Sequence, residues 1–68
     1  MLSLTVNGRP REFGRTSLSL AELIEELALT GKRIAVELNG AIVPRSAYGA
    51  TPLNAGDRLE IVGAVGGG

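Results

Sequence analysis

The group in this chain best suited to chemistry is the α-carboxylate of Gly68, because the last three residues are Gly66-Gly67-Gly68. Glycine has no Cβ, so a Gly-Gly end can enter a narrow channel that excludes any larger residue. Three extended residues reach roughly 10 Å, which is enough to enter the pocket of another protein. The competing interpretation is a linker stub, because glycine-rich stretches are usually flexible linkers. We predict a flexible tail, residues 66–68, with Gly66 and Gly67 threading a partner's channel and the Gly68 carboxylate as the reactive group.

The side chains offer little chemistry of their own. The sequence contains no cysteine and no histidine, which excludes disulfides, thiol catalysis and the usual transition-metal sites. Glu25 and Glu26 are adjacent on a predicted helix and point apart, so they indicate a solvated face. Tyr48, the one tyrosine, is more typical of a packed loop anchor than of a catalytic acid. We predict that the chain is not an enzyme and that it has no metal site and no bound cofactor.

The charge of the chain gives it no preference for polyanions. Seven basic residues balance seven acidic ones, so no net field favours nucleic acid or an anionic membrane. Arg9, Arg11 and Arg15 could suggest a phosphate site, but basic residues on an edge strand also prevent edge-to-edge pairing, and we favour that role. The first residues lack a basic region and a long apolar run. We therefore expect no signal peptide, no membrane span and a cytoplasmic location.

The elements that must position the tail begin with a predicted hairpin. Residues 2–6 alternate between apolar and polar side chains, as in a half-buried strand. Asn7-Gly8 favours a type I′ turn, since both residues accept positive φ. The return strand, residues 9–13, contains Pro10, which cannot donate to a strand ladder and indicates a sheet edge. Phe13 is its expected core anchor.

A single amphipathic helix follows the first hairpin. Ser19 and Glu22 have the spacing of a capping box, and apolar residues then recur at helical spacing. Gly31 offers a left-handed stop. The pattern predicts a helix at about residues 20–30 with one apolar face.

The second half of the chain repeats the hairpin pattern. Residues 34–38 and 41–43 are predicted strands around Asn39-Gly40. Residues 46–53 are expected to be irregular, with Tyr48 and Leu53 as anchors. A turn at 54–57 then leads into the last strand.

This order of elements predicts a single α+β domain over residues 1–65. One helix must cover one face of one sheet, because each has a single apolar face to bury. Pairing the first and last strands in the middle of the sheet buries both, which is the β-grasp (ubiquitin-like) arrangement with a mixed sheet of four to five strands. A small open barrel is the alternative, but it leaves the capped helix without a role. We expect the isolated chain to be monomeric.

The last strand turns apolar on its outer face as it approaches the tail. Val62 and Ala64 share that face, and Ala35 joins them if the third strand lies alongside. A small apolar patch beside a free Gly-Gly end is typical of a docking surface. The alternative is that scattered exposed apolar residues are ordinary.

Taken together, these residues resemble the ThiS family, the ubiquitin-like sulfur carriers of thiamine biosynthesis. The resemblance covers the whole chain and is carried by three segments: Val6-Asn7-Gly8, the hairpin Leu-Asn-Gly-Ala-Ile-Val-Pro-Arg at 38–45, and Ala-Gly-Asp-Arg-Leu-Glu-Ile at 55–61 before the Gly-Gly end. The Gly-Asp turn and the Gly-Gly end are shared with the small subunit of molybdopterin synthase. The hairpin at 38–45 and the short length favour ThiS. Tyr48 stands where many relatives have tryptophan.

The resemblance implies a mechanism centred on Gly68. A ThiF-like enzyme would use ATP and Mg²⁺ to adenylate the carboxylate, and sulfur from a persulfide donor would displace AMP and leave a thiocarboxylate. A ThiG-like thiazole synthase would then receive the sulfur. Two alternatives stay open at this point: a carrier in another sulfur-transfer pathway, such as that of molybdopterin synthase, and a β-grasp interaction module whose tail is only a linker.

Overall fold

The elements of the fold follow the predicted order in a computed structural model that describes residues 1–63. Within those residues the elements are β1 (Leu2–Val6), β2 (Arg9–Phe13), β3 (Leu18–Ser19), α1 (Leu20–Glu26), β4 (Ile34–Leu38), β5 (Ala41–Val43), a 3₁₀-helix (Arg45–Ala50), β6 (Pro52–Leu53) and β7 (Arg58–Gly63).

The last strand, β7, lies in the middle of a five-stranded sheet with the order β2-β1-β7-β4-β5. It runs parallel to β1 and antiparallel to β4. The first and last strands are therefore neighbours, and α1 packs on one face of the sheet. This arrangement confirms the predicted β-grasp fold of the α+β class. The strand that contains Pro10, β2, lies at an edge as predicted.

Both hairpins turn at the predicted Asn-Gly pairs. The φ angles are +52° at Asn7 and +80° at Gly8, and they are +51° at Asn39 and +88° at Gly40. Positive φ at both central residues defines the type I′ turn, whose twist matches that of the flanking strands. The residues on either side of each turn are paired directly across the two strands.

The helix begins where the sequence predicts. The Glu22 N–H donates to Ser19 Oγ at 3.1 Å, and the Ser19 N–H donates to Glu22 Oε1 at 2.8 Å. The capping box is thus complete, and it satisfies two backbone donors that the first turn would otherwise leave free. Arg15 adds an ion pair to the other carboxylate oxygen of Glu22 at 2.9 Å. The sequence did not indicate that contact.

The helix ends earlier than predicted, at Glu26 and not near residue 30. The Ala28 N–H donates to the Glu25 carbonyl at 3.0 Å, and the Leu29 N–H donates to the Ile24 carbonyl at 2.9 Å. These two bonds form a Schellman motif, with Ala28 in the left-handed conformation at φ +59°. Gly31 also has positive φ, but it lies beyond the end of the helix. No helix within residues 1–63 is long and apolar enough to cross a membrane.

The segment predicted to be irregular, residues 46–53, is more ordered than expected. It contains the 3₁₀-helix, and its strand β6 pairs with β3 in a separate two-stranded sheet. The Leu20 N–H, in the first turn of α1, donates to the Thr51 carbonyl at 2.9 Å. The prediction of an irregular segment was wrong because these pairings involve residues far apart in the sequence, which local patterns do not reveal.

The apolar core lies between α1 and the helix-facing side of the main sheet. Three predicted anchors, Phe13, Tyr48 and Leu53, are buried in it. The full set of buried side chains in the described part of the chain is Leu2, Leu4, Val6, Phe13, Leu18, Leu20, Leu23, Ile24, Val36, Tyr48, Leu53, Leu59 and Ile61.

Candidate functional site

The candidate site is the C-terminal end of β7, from which the chain continues to Gly68. The pairing of β7 with β4 extends to Gly63, which lies opposite Ile34. The residues predicted for channel threading and chemistry, Gly66–Gly68, and the predicted docking residue Ala64 lie outside the described residues. The structure therefore supplies the geometry of the strand that leads to them.

The side of β7 that faces β1 loses its neighbouring strand early. Only Thr5–Arg58 and Val6–Leu59 are paired across β1 and β7, because β1 turns away at Asn7. Beyond that point, the Asn7 side chain forms hydrogen bonds with β7 in place of the β1 backbone. Its Oδ1 accepts a hydrogen bond from the Ile61 N–H at 2.6 Å, and its Nδ2 donates to the Ile61 carbonyl at 3.0 Å. One side chain thus satisfies both backbone groups of Ile61.

A second asparagine holds the other end of β7 in a similar way. Asn39 Oδ1 accepts a hydrogen bond from the Arg58 N–H at 2.9 Å, and its Nδ2 donates to Asp57 Oδ1 at 3.0 Å. The Asn39 N–H also donates to the Arg58 carbonyl at 2.7 Å. Sequence reasoning assigned both asparagines to turns and missed these contacts. One signal for these contacts was available in the sequence. Both turns have Asn at their first central position, although Gly or Asp would also allow the turn.

The two predicted docking residues that the structure describes lie side by side. Ala35 and Val62 are directly paired across β4 and β7, on the sheet face opposite α1. Val62 is 57% exposed, whereas its neighbour Ile61 is buried at 8%. The predicted register is therefore confirmed. We call Ala35 and Val62 the Val62 patch, and its role in docking stays a prediction.

Charge is unevenly distributed around the end of β7. Beside the Val62 patch, Glu37 and Glu60 are paired across the strands on the same outer face. At the end of β7, a groove of about 430 Å³ is lined by Arg11, Lys32 and Arg33, by Asn7, and by apolar residues that include Val62. Within residues 1–63 no carboxylate lines that groove. The end of β7 thus has two glutamates on its outer face and three basic side chains in the adjoining groove, and such asymmetry favours one orientation of a charged partner.

Metal-ligating side chains do not converge in the described part of the chain. Among residues 1–63, no group of three or more Asp or Glu side chains is close enough to hold a metal ion. The prediction that this chain binds no cofactor stays a prediction. The α-carboxylate at the end of the chain remains the candidate reactive group.

Comparison with known proteins decides the family. The family model described as "ThiS family" matches residues 4–68. The chain belongs to the ThiS family. ThiS proteins are small sulfur carriers of thiamine biosynthesis and not catalysts, which agrees with the prediction made for this chain.

Solved structures agree with that assignment. The crystal structure of the thiamine biosynthesis protein ThiS from Geobacter metallireducens superposes with a TM-score of 0.86 at 39% sequence identity. The superposition covers 98% of this chain and 100% of that one. A solution structure of a thiamine biosynthesis protein from the same organism gives a TM-score of 0.81 at the same identity, over 98% of this chain and 88% of the other.

Curated relatives include both short and long proteins. A thiazole synthase of Paramagnetospirillum magneticum is 42% identical over 67 residues, which is 98% of this chain and 20% of that protein. This ThiS-family chain therefore spans about a fifth of the length of that relative. An uncharacterized protein, ycf40, of Pyropia yezoensis is 37% identical over 67 residues, which is 98% of this chain and 93% of the relative.

Proposed function

We propose that this chain carries sulfur as a thiocarboxylate on Gly68 and delivers it for thiazole formation. The observation that carries the proposal is the position of β7. This strand is held by neighbours on both sides in the middle of the sheet, and the sequence continues from it directly into the Gly-Gly end of a ThiS-family chain. The rigid part of the molecule thus supports the strand that presents the reactive end.

The first step is activation of the carboxylate by a ThiF-like adenylating enzyme that uses ATP and Mg²⁺. A carboxylate is a poor acyl donor because its leaving group would be an oxide ion. Attack of a Gly68 carboxylate oxygen on the α-phosphorus of ATP forms a carbon–oxygen–phosphorus bond and releases pyrophosphate. The acyl adenylate then has AMP as its leaving group.

The second step installs sulfur. The terminal sulfur of a persulfide donor attacks the acyl carbon and displaces AMP. Cleavage of the donor's sulfur–sulfur bond by a thiol leaves the thiocarboxylate on Gly68 and a disulfide on the donor side. Because this chain has no cysteine, the thiol that carries the persulfide and the thiol that cleaves the sulfur–sulfur bond both belong to partner proteins.

The length of the segment after Gly63 supports insertion into a narrow channel of the partner. Five residues follow Gly63, and five extended residues span at most about 17 Å. The last three of them are glycines, which pass through a channel that excludes a Cβ. We propose that Gly66 and Gly67 lie in that channel and that Val62, Ala64 and Ala35 contact the rim of the partner.

The recipient of the sulfur is a ThiG-like thiazole synthase. A relative named thiazole synthase contains a segment similar to this whole chain, and a second thiazole synthase, from Magnetococcus marinus, is 34% identical over 67 residues. A shared polypeptide keeps a carrier next to the enzyme that uses it, which supports association of the separate proteins. Since activation consumes ATP, we place the monomeric carrier in the cytoplasm.

Intact mass of the protein from its native host tests the proposal. Replacement of one oxygen by sulfur adds about 16 Da to the carrier. We expect that increment in wild-type protein from cells that need to make thiamine, and we expect none in a variant that lacks Gly67 and Gly68. The unmodified mass in wild-type protein, even when the adenylating enzyme and the sulfur donor are overproduced, would contradict the carrier function.

A further inference from the structure

We propose that Asn7 is a positioning residue for the adenylation of Gly68. Its carboxamide holds β7 at Ile61, two residues before the strand ends at Gly63, and this restricts where the terminal carboxylate can lie in the activating enzyme. The inference rests on the proposed function, since it concerns how the carboxylate reaches the reaction. It adds a role to a residue that the carrier chemistry does not itself require.

The hydrogen bonds between β1 and β7 show how Asn7 acts. The Thr5 N–H donates to the Asp57 carbonyl at 2.9 Å, and the Asn7 N–H donates to the Leu59 carbonyl at 2.8 Å. The next residue of β7 in this alternating series is Ile61. The backbone of Asn7 cannot continue the series, because it turns away with φ +52°. Its side-chain amide does so instead, bonding both the N–H and the carbonyl of Ile61.

This contact is well placed to control the C-terminal end. Ile61 lies seven residues before Gly68, and beyond Leu59 the Asn7 side chain is the hydrogen-bonding partner on the β1 side within the described residues. Without it, the last part of β7 is held by β4 alone, and the side of the strand that faces β1 has no hydrogen-bonding partner there. Reaction rates depend steeply on placement, so greater freedom at Ile61 lowers the fraction of chains with a reactive geometry.

The chain offers a matched control in Asn39. It occupies the same position of the same turn type, with φ +51°, and it also bonds the backbone of β7, at Arg58. Arg58 lies ten residues before Gly68, at the far end of the strand. Loss of the Asn39 side chain therefore removes two exposed hydrogen bonds, with the Arg58 N–H and with Asp57 Oδ1, without releasing the end of β7 that leads to the carboxylate.

The experiment compares Asn7→Gly with Asn39→Gly. Glycine accepts positive φ, so both turns keep their conformation and each variant loses only the carboxamide. Melting curves and steady-state ATP–pyrophosphate exchange with the cognate adenylating enzyme are measured at a temperature where both variants are folded. We expect both to lower Tm, Asn7→Gly by roughly 5–10 °C because it loses two part-buried hydrogen bonds, and Asn39→Gly by less because its two bonds are exposed.

The kinetic parameters separate positioning from stability. For Asn7→Gly we expect kcat to fall by about tenfold or more, with KM changed by less than about threefold. For Asn39→Gly we expect both parameters to stay within about twofold of wild type. Asn7→Asp keeps the acceptor for the Ile61 N–H but loses the donor, so its kcat should lie between those of wild type and Asn7→Gly. If Asn7→Gly fails to fold, Asn7→Asp alone provides the comparison.

Each outcome decides the inference. Equal kcat values for the Asn7 and Asn39 variants, or a change in KM alone, would overturn it and leave the proposed function intact. Failure of wild-type protein to support exchange would overturn the proposed function itself, and this inference with it. Amide hydrogen exchange gives an independent readout, because Asn7→Gly should speed exchange at Ile61 more than Asn39→Gly does.

Discussion

At the scale of single residues, the asparagines show where sequence reasoning succeeds and where it stops. Asn7 and Asn39 could be assigned to type I′ turns because turn chemistry depends on adjacent residues. Their bonds to β7 could not be predicted, because Ile61 lies 54 positions from Asn7 along the chain. The terminal carboxylate could be proposed as the reactive group from the sequence alone, since that role depends on no tertiary partner.

Ala28 is a residue whose conformation no local pattern predicts. It lies two residues after the end of α1 with φ +59°, a region that costs an alanine roughly 1–2 kcal/mol. Glycine is the usual choice at this position of a Schellman motif. Gly31 carried the stop signal in the sequence, so the helix was predicted to extend too far.

We predict that Ala28→Gly raises the free energy of unfolding by about 1 kcal/mol, because the relief of strain exceeds the added flexibility of the unfolded chain. Denaturant titration of the two proteins is the measurement. Ala21→Gly is the control: this residue lies inside α1, where glycine should destabilise by about 0.5–1 kcal/mol. A loss of stability in the Ala28 variant would show that the left-handed alanine is not strained.

At the scale of elements, the beginning of α1 was predictable and its end was not. A capping box is a contact between residues three positions apart, so the sequence contains the whole signal. The 3₁₀-helix and the β3–β6 pair depend on packing between distant segments, and the sequence contains no local signal for them. The strands of the main sheet were predictable because their apolar residues alternate.

The capping box should make stability depend on pH. The hydrogen bond from the Ser19 backbone, and then the bond and charge of Arg15, lower the pKa of Glu22 below its ordinary value of 4.5. A lowered folded-state pKa contributes stability that is present above the unfolded pKa and is lost as the pH falls through the folded pKa. We expect wild type to lose more stability than Glu22→Gln as the pH falls below 4.5.

Melting curves of both proteins at pH 7 and at several values below 4.5 provide the measurement. Glutamine keeps an acceptor for the Ser19 N–H but cannot ionise, so the difference in Tm between the proteins should shrink toward the acid end. A constant difference across that range would contradict the assigned coupling between Glu22 ionisation and folding.

The outer face of β7 and β4 supports a prediction about docking. Val62→Asp should leave the fold intact, since Val62 is 57% exposed, and it should weaken binding to the adenylating enzyme by about 1–3 kcal/mol through desolvation of an unpaired charge. Calorimetric titration measures the change in affinity. Ile42→Asp makes the same exchange at a side chain 75% exposed on the edge strand β5. An equal loss in both variants would count against the Val62 patch as the centre of docking.

At the scale of the whole molecule, we propose that a stable body presents a separate, chemically reactive end. The described core consists of side chains between Leu2 and Ile61, and the elements that carry them were mostly predictable from apolar periodicity. The pairing of β1 with β7 was predictable as well, because only a central position buries both strands. The fold and the Gly-Gly end suit several sulfur carriers, whereas the hairpin at 38–45 favoured the ThiS family, to which the family model assigns the chain.

This separation predicts that the end of the chain can be altered without loss of stability. Deletion of Gly67 and Gly68 should leave Tm unchanged within about 2 °C, because the core of residues 1–63 consists of side chains between Leu2 and Ile61 and a glycine has no side chain to add to it. The same deletion should abolish adenylation. A large fall in Tm would show that the end of the chain contributes to folding, and the division between body and reactive end would be wrong.

The central claim, that the Gly68 carboxylate is the group activated, is tested most directly by ATP–pyrophosphate exchange with a chain extended by one alanine. The extra residue displaces the carboxylate by about 3.5 Å, which is too far for attack on the α-phosphorus of a bound ATP. We predict exchange with wild type and none with the extended chain, while both melt at the same temperature. Exchange at the wild-type rate by an extended chain whose intact mass shows no trimming would contradict the account.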